Sequence, residues 1–472
     1  MDGVEKAVEV CVSYAWSVVV EAACGFAGGE AQDGGAYETF GAGGLLRVES
    51  GLEQSGADAV AHLAGNREVA MRILLSDGSG LTSRQCATVL SRAGHVVETL
   101  SPDPLCICAF TRHVRRIHRV PAFGDDPFGW LEAAVAVYTT GAFDVLLPTQ
   151  EQVAVLSRAA DRLRGRGVAT VVPPFSALAM VQDKVSAFTT LARLGLPQPP
   201  SAVITNAQEW AAWDGFPAYL KTPIGTATSG VRRLDGPADL SDPSWPAEDG
   251  LLVQREVPGP LVMVQSVFAA GELVAFHACV RTGEGARGGA SHKRGIKLPT
   301  VREHVRALGG ALGWHGALSA DVILGEQGPV FIDINPRLIE PVNALLSRVN
   351  LLTPLLQLAR GRVPASLPPA TPGVATHQLL MAVLGAAQRS GRRRTVLSEL
   401  VAAALHRHGY AGSREELTPG FDPRSALLLA LATGATLARP AAWQWFASGS
   451  VAAYALSPTG WRHILEHHSA KP

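Results

Sequence analysis

The chain has no surplus of charge of either sign: 41 basic and 41 acidic side chains cancel. Nucleic-acid partners are met by a basic surplus or stripe, so composition makes no case for one. Cysteine is scarce, and Cys11, Cys24, Cys86, Cys106, Cys108 and Cys279 contain no CxxC pair. That argues against a structural zinc site and fits a reducing, cytoplasmic setting. Cys106-Ile107-Cys108 reads as a core pair on one side of a strand. Long apolar runs are missing as well. Residues 8–27 are interrupted by Glu9 and Glu21 and preceded by Asp2, Glu5 and Lys6, which is a poor signal peptide. Residues 426–438 fall short of the ~20 needed to span a bilayer. No GxxxxGK[ST] occurs, and no Ser–His–Asp or Cys–His constellation stands out, so neither a P-loop nor a covalent nucleophile is read.

What is present is a chain of 472 residues, 47% apolar, long enough for about three domains. Residues 1–70 are Gly-, Ala- and Glu-rich without a motif. They are expected to be a disordered arm or an extension that is not native, with Met71 as the natural start. Residues 71–175 alternate strands (71–76, 96–100, 144–147, 168–172) with helices (83–93, 128–140, 150–164). This rhythm predicts a parallel sheet covered by helices. Its first strand runs into the loop Ser76-Asp77-Gly78-Ser79-Gly80, at the edge where such sheets bind ligands. A helix over 183–194 ends at Gly195, with Pro197 beyond. Residues 201–336 read as a strand-rich α+β module, and 337–362 as a helix with an Arg-rich end. A Pro-rich linker (363–373) leads into a mostly helical region, 374–472.

The chemistry concentrates at 321–337. Two β-rich runs flank a Gly/Pro turn, and Asp321, Asp333 and Asn335 sit on them. Asp333 and Asn335 share a face by strand alternation. A four-residue turn, Gly325 to Gly328, would pair Asp321 with Ile332 on the opposite face. A five-residue turn ending at Pro329, or a shorter turn with a bulge, would pair it with Asp333. Two carboxylates and an amide oxygen suit Mg²⁺ holding nucleotide phosphates. Upstream, Phe216-Pro217-Ala218-Tyr219-Leu220-Lys221 is a short strand ending in Lys. The loop after it carries Gly225, Thr226, Thr228, Ser229 and Gly230, whose N–H groups and hydroxyls can wrap phosphate oxygens. Lys184 stands at a helix start, where the dipole favours anions, so it points to a ligand. Gln254-Arg255-Glu256-Val257-Pro258-Gly259 is a strand ending in a break that exposes backbone groups.

In this order and spacing the chain resembles the ATP-grasp superfamily over about 71–362. It is most similar to carboxylate–amine ligases related to biotin carboxylase and carbamoyl phosphate synthase, where Asn-Pro-Arg is typical. The resemblance implies an N-terminal parallel-sheet α/β domain (71–175), a two-lobed α+β ATP-grasp core (176–362) and a mostly helical C-terminal region. It implies that Lys184, Lys221, Thr228, Ser229 and Gly230 contact ATP phosphates, and that Gln254 and the backbone of Arg255 and Val257 hold adenine. Asp321, Asp333 and Asn335 would bind two Mg²⁺, for which Mn²⁺ can substitute, and Arg337 would steady the phosphoryl group or the carboxylate. Two departures stand out. Pro260 and Leu261 replace the usual ribose-binding acid, leaving Gln265 as a substitute, and Asp333 is more often Glu.

Between hinge and metal strands, 281–294 is a Gly loop rich in cations. Its literal GxGxxG (283–288) precedes no helix, so a dinucleotide reading is rejected. Arg287 and Arg294 are assigned to an anionic substrate or acyl phosphate, with His292 third. His463 and His467 read as solvated surface, and Arg392-Arg393-Arg394 as a charged turn. Apolar helices bearing Trp443, Trp445 and Phe446 are expected to pack on the core or on the partner of a homodimer. The expected reaction joins a small-molecule carboxylate to an amine through an acyl phosphate, releasing ADP. Carboxyphosphate chemistry and a non-catalytic nucleotide sensor are the alternatives.

Overall fold

The computed structural model describes residues 69–241, 250–417 and 422–467, so the expectations for residues 1–68 lie outside the described residues. Four parallel strands form the first sheet: β1 (Arg72–Leu75), β2 (Val96–Ser101), β3 (Arg116–Arg119) and β4 (Val145–Leu147), in the order β3-β2-β1-β4. Ile73, Leu74 and Leu75 are fully buried in succession, as a strand covered on both faces requires. Leu81–Arg92 and Pro127–Gly141 are among the helices that cover it. Asp126 caps the second by accepting from the Gly129 N–H, with Pro127 in the first turn where no N–H is missed. Trp130, Phe123 and Leu131 fill the space beneath.

Three expectations for this sheet change. β3 is added, a polar Arg-Ile-His-Arg edge strand that carries no apolar alternation. Residues 168–172 form no strand, and Ala169 accepts one bond from the Leu146 N–H. The helix expected over 150–164 divides at Ala159 into Val153–Arg158 and Ala160–Gly165. Cys106 and Cys108 are buried as expected, but around a short 3₁₀ turn, Ile107–Ala109.

The second sheet is antiparallel: β5 (Ser201–Ile204), β6 (Ala218–Lys221), β7 (Val231–Leu234) and β8 (Leu251–Arg255), in the order β5-β8-β6-β7. Directly paired residues share a face, so alternation divides the sheet cleanly. Ile204, Leu220, Leu234 and Val253 form its small core with Trp210 and Trp213. Ser201, Gln254, Tyr219 and Lys221 take the opposite face, and the last three line the cavity.

The largest sheet holds β9 (Leu261–Ala269), β10 (Glu272–Glu284), β11 (Ala290–Gly295), β12 (Gly316–Gly325), β13 (Gly328–Asn335), β14 (Ala375–His377) and β15 (Arg414–Glu415). Their order is β13-β12-β9-β10-β11-β14-β15. The Pro-rich 363–373 segment is docked along this sheet: Leu367 donates to Val274, and Gly373 to Gly295. The C-terminal region then extends the sheet with β14 and, at its edge, β15; Leu379–Ser390 packs on β11, and Pro423–Ala438 and Trp443–Tyr454 pack on that helix.

Candidate active site

Register decides whether the acidic residues meet. β12 and β13 are joined by the tight turn Glu326-Gln327, with Gly325 paired to Gly328. Such a turn alone would set Asp321 against Ile332. A bulge intervenes: Val322 pairs with Phe331, yet Asp321 pairs with Asp333, leaving Ile332 as the extra residue. The shorter turn with a bulge is therefore the observed form, and the five-residue turn is not. Asp321, Asp333 and Asn335 all line one cavity of about 1150 Å³. No hydrogen bond or ion pair to a described residue engages these three side chains.

The bulge also performs a second task. It frees the Ile332 carbonyl, which accepts from Lys221 Nζ at 2.7 Å; the same ammonium donates to Gln254 Oε1 at 2.8 Å. Burial pushes Lys221 down to about 8, against the pull of Asp333. Burial and the facing Asp333 push Asp321 up to about 7. Two carboxylates held this close, with no donor between them, are the arrangement a divalent cation satisfies. Among the described residues no three His, Cys, Asp or Glu side chains cluster to hold a metal by themselves. Two carboxylates and an amide oxygen could hold an oxygen-ligated ion only in part, the remaining ligands coming from phosphate and water, as Mg²⁺ prefers.

Lys184 lies across the cavity and donates to the Gly225 carbonyl at 2.8 Å, gripping the loop after β6. Its helix starts there because Asp183 caps it through the Ser186 N–H. In the loop, Ala227 (φ 50°) and Thr228 (φ 65°) are left-handed, which a β-branched residue rarely accepts without cause. Thr228 faces the cavity. Ser229 does not: its hydroxyl turns back to the Thr226 carbonyl at 2.7 Å and accepts from the Thr226 N–H. Gly230 accepts from the Thr222 N–H and shapes the turn. The Thr226 hydroxyl bonds to Glu151, whose other oxygen accepts from the Leu456 N–H at 2.7 Å. One carboxylate thus ties the loop to the first domain and to the C-terminal region.

At the hinge, Gln254 is buried between Lys221 and Ser201, so its side chain positions the lysine. It also lines the cavity, with its amide oxygen and nitrogen both already bonded to protein. The Arg255 N–H is taken by Pro200 and the Glu256 N–H by Pro217. Val257 is the first hinge residue whose N–H bonds to no described residue. Gly259 at φ 151° then passes against the β12–β13 hairpin, where a Cβ would sit 2.3 Å from the Leu324 carbonyl oxygen. Gln265 spends its amide on the Ile339 and Glu340 carbonyls, which pins the segment after Arg337.

In the cationic loop, Arg287 and Arg281 line the cavity and Arg294 does not. Arg294 pairs with Val280, on the face opposite Arg281 and Lys293, and is exposed. Strand alternation therefore gives the inward place to Lys293. His292 packs against His377 and Tyr410, away from the cavity. Lys293 Nζ contacts Glu340 and lies 2.6 Å from Glu416. Burial lowers its pKa, but Glu340 and Glu416 outweigh that and hold it above the ordinary lysine value. Lys293, Glu340, Glu416 and Glu151 were not singled out in the sequence. Lys293 lay within the cationic loop that the sequence marked, but its inward place follows only from its pairing with Arg281.

Asp77, in the loop after β1, is fully buried and accepts from the Ser79 and Gly80 N–H groups at 2.9 and 2.7 Å. Burial outweighs these bonds and raises it from 3.8 to about 6. The folded state thus holds an extra proton between those values, so this group makes stability fall as pH rises from 3.8 to 6. Asp77→Asn is expected to flatten that part of the curve in urea unfolding measured at pH 4 and pH 6.5.

Among solved structures, the biotin carboxylase domain of a Hydrogenobacter thermophilus 2-oxoglutarate carboxylase, with MgADP, ADP and bicarbonate, aligns at TM-score 0.52. Identity is 17%, over 65% of this chain and 74% of that one. An ADP complex of N5-carboxyaminoimidazole ribonucleotide synthetase aligns at TM-score 0.51 and 15% identity, over 69% of this chain and 85% of that one. The fold is the ATP-grasp fold. Biotin carboxylase from Campylobacter jejuni aligns at 0.50 and 15% identity. No protein-family model matches the chain, and no curated protein matches it. Among the described residues no helix is long and apolar enough to cross a membrane.

Proposed function

We propose that the chain is an ATP-dependent ligase that joins a carboxylate to an amine. The observation that carries this reading is the pairing of Asp321 with Asp333 on one strand face, beside Asn335 and opposite Lys184 and Lys221 in one cavity. Such a site handles phosphoryl transfer by neutralising charge rather than by a covalent nucleophile. Lys184, Lys221 and the strained 226–228 turn would hold the polyphosphate. The Val257 N–H would read the adenine edge. Asp321, Asp333 and Asn335 would hold Mg²⁺, which when bound neutralises the transferring phosphoryl group. Arg337, whose side chain makes no hydrogen bond or ion pair to a described residue, and Arg287 would orient the acceptor. A substrate carboxylate oxygen attacks the γ-phosphorus and ADP leaves. The amine nitrogen then attacks the acyl carbon, inorganic phosphate leaves, and the amine gives up a proton.

The test is ADP release by the full chain with MgATP over pairs of carboxylates and amines, followed by mass spectrometry of products. An amide that requires both substrates supports the ligase. ADP release with bicarbonate alone would favour carboxyphosphate chemistry. Nucleotide binding with no release across the whole panel would leave the sensor reading.

A further inference from the structure

The cavity is larger than a nucleotide site needs. At about 1150 Å³ it exceeds the roughly 300–1,000 Å³ typical of one small ligand. One end is the phosphate chemistry described above. The other end runs between the C-terminal helices and the first domain, where Leu384, Leu431, Trp445, Phe446, Val451 and Tyr454 line it. Leu105, Ile107 and Phe110 of the first domain line it as well. None of these nine side chains carries a charge. Trp445 is 68% exposed and Leu431 52%, large apolar groups standing at a cavity wall with little to cover them.

This wall is not independent of the chemistry. Ala286, in the cationic loop, belongs to the same apolar cluster as Leu384 and Phe446. Gly285 meets Gly385 so closely that a Cβ on Gly385 would lie 2.6 Å from the Gly285 carbonyl carbon. The Arg287 N–H donates to Gln388 on the same helix at 2.8 Å. The loop bearing Arg287 is thus tied to the helix that carries Leu384, on one side of the apolar wall.

Resting on the ligase reading, we propose that the carboxylate substrate carries a bulky apolar group, aromatic or branched aliphatic, seated against this wall while its carboxylate lies at Arg287 and the Asp321–Asp333 end. Burying such a group against Trp445 and Leu431 supplies binding that a small polar acid lacks. The cationic loop fixes the head, and the helices select the tail.

The test is calorimetric titration of the full chain, with and without MgADP, using phenylalanine, leucine and 3-phenylpropionate against serine, aspartate and succinate. The apolar acids are expected to bind at least about tenfold more tightly than the polar ones. The double variant Trp445→Ala, Leu431→Ser is expected to remove most of that preference while MgADP binds as before. Apolar acids binding no better than serine, or a preference the variant leaves intact, would overturn the proposal. Apolar acids that bind this wall yet release no ADP with any amine would instead sink the ligase reading and leave the pocket assignment standing. A thermal midpoint for the variant close to that of the parent excludes misfolding as the cause.

Discussion

Replacing Asp321 and Asp333 together by asparagine is expected to cut ADP release by at least about a thousandfold without loosening the fold. Both carboxylates line one cavity as a direct strand pair, and neither makes a hydrogen bond or ion pair to a described residue. Their removal therefore breaks no internal hydrogen bond. Asp321 is raised to about 7 by burial and by Asp333, so its ionised form is held against an electrostatic cost. The sign follows: a carboxylate whose folded pKa exceeds its ordinary 3.8 weakens the fold as pH climbs between the two values. At pH 8 the double variant should unfold at the parent's temperature or above it. A structural pair would behave oppositely, losing stability along with activity. The nucleotide gives a second readout. Magnesium should strengthen ATP binding to the parent and have little effect on the variant. Each single change should cost nearly as much as the pair, because the two acids act as one site. Activity that survives the double change would remove the metal assignment and the ligase reading together.

The large elements were legible because their sequences are periodic. β1, β2 and β4 are short apolar runs between turn residues, and Leu81–Arg92 and Pro127–Gly141 carry helical patterning. The candidate site was legible as chemistry but not as geometry. The spacing of Asp321 and Asp333 allowed either face. The outcome turned on one bulged residue, Ile332, which nothing in the local sequence distinguishes from its neighbours. The outward place of Arg294 was hidden for a related reason. Both are cations in one Gly-rich loop, and only the β10–β11 register says which of them faces Arg281. Ser229 and Gln254 are polar and well placed, but the sequence cannot say that their side chains are already engaged. β14 and β15 have three and two residues, too few for any alternation to register, yet they complete the largest sheet. Their pairing partners lie far away in the chain, and local propensity carries no trace of that.

Lys293→Met is expected to destabilise the protein by about 3–5 kcal/mol, the usual cost of removing one partner from a buried ion pair. Glu416 is fully buried, and its oxygens accept from Lys293, Gln85, Gln378 and Thr376. The three neutral donors solvate the carboxylate but do not neutralise it. Without the ammonium it becomes an uncompensated charge at the junction of β11, β14 and the 416–417 segment. Thermal unfolding followed by circular dichroism should fall by roughly 10 °C, taking about 2–4 °C per kcal/mol for a domain of this size. The double variant Lys293→Met, Glu416→Gln should regain much of the loss, since no unpaired charge then remains. Glu340, the other partner, is partly exposed and can be screened by water. The pKa of Lys293 is held above its ordinary value, so the pair contributes across the neutral range and fails only as pH climbs past the folded value. Recovery of stability in the double variant has a functional reading as well. Glu340 stands three residues after Arg337, and Gln265 holds its carbonyl in place. If the ion pair serves to seat Arg337, the stable double variant should still release ADP slowly, with its KM for the carboxylate raised. If it serves only to anchor the C-terminal strands, restoring stability should restore the rate.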